Sequence, residues 1–96
     1  MSFDHGAALD GIAGCDAAAR ALDEAGTRLT SAVAAVVEDW VGPHRRNFDD
    51  LSARLRGALD DARREVIDVG VRLREADAQA LASEQAAEAS LRRGPF

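Results

Sequence analysis

The 96-residue chain has no lysine and no tyrosine, one cysteine and two prolines. Each shortage excludes something. A lone Cys15 cannot form an internal disulfide, and it leaves the redox compartment open. The prolines stand at 43 and 95, so long stretches are free of the residue that most strongly interrupts a helix. No apolar run approaches the roughly 20 residues needed to cross a bilayer, so no direct membrane insertion is expected. Met1 to Ala8 is polar, with neither a basic region nor an apolar core, and does not read as a secretory signal. Positive charge comes from 12 arginines against 17 acids, a net of −5. The excess lies in residues 1–42, where Asp4, Asp10, Asp16, Asp23, Glu24, Glu38 and Asp39 face only Arg20 and Arg28. With no basic run, the chain matches a phosphate backbone poorly, and no nucleic acid partner is expected.

What is present is helix. Ala, Arg, Leu and Glu dominate, and the apolar residues of the first half fall into heptad register. One set is Ile12, Ala19, Gly26, Val33 and Trp40; the other is Ala8, Cys15, Leu22, Leu29 and Val36. Asp4 is placed to cap the start, with Phe3 before it as a staple. A first helix is expected over about 5–41, a bend at 40–43 and a second helix over about 43–92. Pro43 suits a first helical turn, where its missing N–H costs nothing. Arg92, Arg93, Gly94 and Pro95 signal the end. In the second helix Phe48, Leu51 and Leu55 open a seam that resumes, after a stutter, as Leu59, Ala62, Val66, Val69, Leu73, Ala76 and Ala80. Acid–arginine pairs four apart (Asp16–Arg20, Glu24–Arg28, Asp50–Arg54, Asp60–Arg64, Asp68–Arg72) are expected to add ~0.2–0.5 kcal/mol each.

A short link between two long helices implies an all-α fold, an elongated antiparallel two-helix hairpin forming one domain over residues 1–96. Positions whose numbers sum to about 84 then face each other: Ile12 with Leu73, Cys15 with Val69, Leu22 with Ala62, Leu29 with Leu55, Val33 with Leu51 and Val36 with Phe48. Gly26, beside Gly57, is expected to mark a close backbone approach. The arms are unequal, so residues 82–96 overhang and either fray or await a partner. Two helices leave their seam half uncovered. Ala18, Ala25 and Ala32 on the first helix, with Ile67, Val71 and Leu81 on the second, form the candidate face for dimerisation into a four-helix bundle.

Catalytic chemistry is not expected. His5 and His44 show no metal-ligand spacing and read as solvated helix-start residues, so neither metal nor cofactor is assigned. Cys15 lies on the seam without a base beside it and reads as an inert thiol. The doubled charges Asp49-Asp50, Asp60-Asp61 and Arg63-Arg64 diverge by about 100° around a helix and read as solvated faces. The glycines inside the helices form no phosphate loop. Function is therefore expected to be binding.

Trp40-Val41-Gly42 stands at the bend between the helices, with Phe48 eight residues after the tryptophan. Trp is a large apolar anchor with a polar N–H, and Gly opens backbone space at the reversal. Length, hairpin pattern and this tripeptide together resemble the WXG superfamily, the small ESAT-like helical hairpins of type VII (ESX) secretion in actinobacteria and firmicutes. The resemblance covers most of the chain. It implies pairing with itself or with a second WXG protein, export without a cleaved signal peptide or residence in the cytoplasm before export, and contact with a type VII secretion ATPase or a larger secreted substrate. The protein would act as a secreted effector or as the partner and chaperone of a secreted protein. Trp40, Gly42 and Phe48 would form the bend element that such partners read. The family's Tyr-x3-Asp/Glu export motif is missing: Ala80 to Glu84 and Glu84 to Glu88 keep the acid without the aromatic. A dimer partner is expected to supply it. The alternative is a non-secreted helical adaptor or antitoxin-like interaction subunit.

Overall fold

The computed structural model describes residues 3–94. It contains two helices, α1 (His5–Val37) and α2 (Pro43–Arg93), packed side by side and antiparallel. The molecule measures 82 × 16 × 16 Å. Asp4 caps α1 as expected, its Oδ1 accepting from the Ala7 amide at 2.9 Å. At the other end Gly94 turns out of α2 with φ +68°, and its N–H donates to the Leu91 carbonyl. The overhang is therefore helical to Arg93, although every residue from Leu81 to Gly94 is exposed. Pro95 and Phe96 lie outside the described residues.

α1 packs in the expected register. His5, Ile12, Ala19, Gly26 and Val33 form one sheltered row, and Ala8, Cys15, Leu22 and Leu29 the other. The helix stops at Val37 rather than at 41, and Val37 replaces Val36 as the last seam residue. Only 2% of Val37 is exposed, whereas Val36 faces solvent. The early stop has an electrostatic reason. Glu38 and Asp39 put negative charge at the negative end of the helix dipole, where it is unfavourable.

α2 departs further from expectation. Its sheltered residues are Arg45, Ser52, Leu59, Val66, Leu73 and Ala80 at seven-residue steps, flanked by the expected Phe48, Ala62 and Ala76 on one side and by Arg63, Gly70 and Asp77 on the other. This is an unbroken heptad, without a stutter. Leu51, Leu55 and Val69, expected inside, are 62%, 50% and 49% exposed. An uninterrupted helix carries one phase along its length. That phase is set where Leu59, Val66 and Leu73 pack, which brings Ser52 and Gly70 inward and leaves Leu51 and Val69 on the flank.

The two arms are aligned to within a residue of the expected register. Gly70 lies against Cys15, where an added methyl would come 3.3 Å from the Cys15 Cβ, and a methyl on Gly11 would meet Leu73 at 3.0 Å. The close approach is here and not at Gly26 and Gly57, where an added methyl meets nothing within 4 Å. Those two glycines instead border an open cleft of about 530 Å³, also lined by Leu22, Thr30, Ala53 and Leu59. Of the acid–arginine pairs expected within helices, Asp68–Arg72 forms at 3.0 Å. Asp16 instead reaches across to Arg74 at 3.1 Å, and Arg64 lies 4.0 Å from Asp61 rather than beside Asp60.

Candidate functional site at the bend

The bend is built from residues 38–42. Trp40 donates its backbone N–H to the Val37 carbonyl at 3.0 Å, tightening the exit from α1. Gly42 has φ +87°, in the region L side chains resist, and its carbonyl accepts the Arg46 amide at 3.2 Å to start α2. Pro43 follows in the first turn. Arg45 then reaches back: Nη1 donates to the carbonyls of Val37 at 2.6 Å and Trp40 at 3.2 Å, while Nε donates to both Asp49 carboxylate oxygens at 3.2–3.3 Å. The guanidinium thus gives the Val37 carbonyl a second donor beside the Trp40 amide and opposes the negative pole of the α1 dipole.

Trp40 packs edge-to-face on Phe48, with ring centroids 5.5 Å apart and planes at 72°. It is not parked in the seam. Because α1 ends three residues earlier, the indole is 42% exposed. Trp40, Val41, His44, Asn47, Phe48 and Leu51 line a shallow groove of about 490 Å³. Val41, the middle of the tripeptide, is 87% exposed at its rim. The structure therefore brings Trp40 and Phe48 together beside Gly42, as expected. It adds Arg45, which sequence reading missed, although an arginine with an acid four residues on was a visible signal.

Two dissimilar long faces run from the bend. One is crossed by ion pairs between the helices, Asp23–Arg63 at 3.6 Å and Asp16–Arg74 at 3.1 Å. At about 100° per residue, Ala18, Ala25 and Ala32 point away from Asp16 and Asp23, onto the opposite face. Val36 of α1 and Leu51, Leu55 and Val69 of α2 share that face, and these four are exposed. Ile67 and Leu81 sit instead on the side of Arg63 and Arg74, with Val71 further round the back. The six residues expected to form one dimer face thus do not share one surface.

Other candidates are placed as follows. Cys15 is half-buried in the seam. His44 lines the bend groove. His5 is not simply solvated; it meets Asp77 and Glu84 of α2, a contact across more than 70 residues that local pattern does not encode. Among the described residues no group of three or more His, Cys, Asp or Glu side chains is arranged to hold a metal ion, and no helix is long and apolar enough to cross a membrane. No protein-family model, curated protein or solved structure matches the chain.

Proposed function

We propose that the chain is a non-enzymatic WXG-type hairpin of type VII secretion, acting as a secreted effector or as the dimer partner and chaperone of a secreted protein. One observation carries this reading: the bend tripeptide forms a presented surface. Gly42 makes the reversal, Arg45 fastens it, and Trp40 is left half-exposed against Phe48 at the rim of an apolar groove. A tryptophan needed only for packing belongs inside the seam. A half-exposed indole held against a second aromatic suits recognition by another protein. The face with exposed Leu51, Leu55 and Val69 supports a helical partner alongside, completing a four-helix bundle. The missing tyrosine favours a partner that carries the export tail.

The test is secretion from the native host with and without the secretion ATPase, together with co-purification of the partner. Expected are ATPase-dependent appearance in the culture filtrate and recovery of a second small helical protein. Trp40→Ala should cost only about 1–2 kcal/mol, because the ring is half-exposed and loses mainly its aromatic pair. The variant should therefore fold and fail in export. Appearance in the filtrate regardless of the ATPase would defeat the secretion reading. Cytoplasmic retention with a non-secreted partner would favour the adaptor or antitoxin-like alternative.

A further inference from the structure

At the open end of the hairpin, His5 begins α1 and lies between two acids of α2 that are seven residues apart and so share one side of that helix. Nδ1 contacts the Asp77 carboxylate, and Nε2 faces both oxygens of Glu84 at 2.8–2.9 Å. A neutral imidazole has one N–H and one lone pair, whereas the imidazolium donates from both nitrogens. A carboxylate at each nitrogen is therefore satisfied only by the protonated ring.

Among the described residues, nothing opposes this arrangement. Asp4, on the same end of α1, is engaged with the Ala7 amide, and the Phe3 ring stands edge-on with its centroid 5.0 Å from that of the imidazole. Arg74, one turn before Asp77, reaches away to Asp16. Glu88, one turn beyond Glu84, pairs with Arg92. Among the described residues, the charged groups that face the ring are acids.

We propose that His5, Asp77 and Glu84 form a latch, closed by one proton, that fastens the first turns of α1 onto α2. Loss of the proton turns one N–H into a lone pair aimed at a carboxylate, so one contact becomes repulsive and the end of the hairpin loosens. The Asp77 hydrogen bond first, and then that of Glu84, raises the His5 pKa above its ordinary value near 6.5. A raised pKa means that the latch contributes fully below about 6.5 and is lost as pH rises through the higher folded value.

The test uses the full chain labelled with nitrogen-15. Long-range proton–nitrogen spectra follow the His5 ring from about pH 5.5 to pH 9.5, in the folded chain and in the urea-unfolded chain. Expected are two protonated ring nitrogens in the folded chain at a pH where the unfolded chain has lost one, and a midpoint lowered by either Asp77→Asn or Glu84→Gln. Amide exchange in residues 5–12, corrected for its intrinsic pH dependence, should quicken above the folded midpoint while residues 19–29 stay protected. In His5→Gln the same amides should exchange quickly at every pH. Equal folded and unfolded midpoints, a midpoint that neither carboxamide variant moves, or exchange in residues 5–12 that ignores pH would each overturn the latch.

Discussion

Gly42 concentrates the bend's backbone demand in a single residue. Its φ of +87° is costly for any side chain, although nothing crowds the space where a Cβ would stand. Gly42→Ala should therefore destabilise the hairpin by about 1–3 kcal/mol through backbone strain alone, because ψ of −157° puts the residue in a region occupied essentially by glycine. The measurement is the denaturation midpoint at fixed protein concentration; an unchanged midpoint would mean that the turn relaxes to another shape. That Gly42 makes the turn was legible from its place after a heptad run and before Pro43. The exposure of Trp40 was not. It follows from where α1 ends, and the only local hint was the acidic pair Glu38-Asp39 at the wrong pole of a helix. Arg45 was legible in part, since its pairing with Asp49 is local, but its reach to the Val37 carbonyl depends on how the chain reverses.

Between the helices, glycine plays opposite parts in different places. At Gly26 and Gly57 an added methyl meets nothing, so alanine should recover helix propensity and stabilise by up to about 1 kcal/mol per site. At Gly70 the same methyl presses on Cys15 at 3.3 Å, in a seam where both backbones are committed, and Gly70→Ala should be neutral or destabilising despite its better propensity. Thermal unfolding of the three variants tests this, and a stabilised Gly70→Ala would show that the arms are not close there. The helices themselves, their antiparallel pairing and the α1 seam were readable because heptads repeat over many turns. The α2 seam was misread near the bend because Leu51 and Leu55 look more inward-facing than Ser52. One-dimensional hydrophobicity does not reveal that the phase is settled further along, at Leu59, Val66 and Leu73.

A radius of gyration of 22.7 Å compares with about 13 Å for a compact chain of similar length. So extended a molecule buries little: among the described residues, Ala8, Ala19 and Val37 are the buried apolar side chains. Stability is therefore expected to depend on a second chain. Under the proposed pairing, the face crossed by Asp16–Arg74 and Asp23–Arg63 and the face of Leu51, Leu55 and Val69 differ enough to say which side the second chain covers. Leu51→Asp should halve the molecular weight by light scattering at micromolar concentration, from twice the 10.2 kDa of one chain or from that of a mixed pair. Ile67→Asp, on the side of Arg63, should leave it unchanged. The reverse pattern would place the interface on the ion-paired face. This choice was not readable in sequence, where Ala18 and Ile67 both look like spare apolar surface. It required knowing which acids cross to which arginines.

The antiparallel course of α1 and α2 also decides how the molecule responds to being pulled. His5 and the distal part of α2 lie at the same end, and Trp40 lies at the other. Tension between residues 3 and 94 opens the pair like a zipper, loading one seam layer at a time from Asp77 toward the bend. Tension applied to the bend against the far end of α2 instead runs along an unbroken helix and must stretch many turns together. A machine that threads this chain from the open end meets the weaker direction first, and Gly42 is the last point to yield.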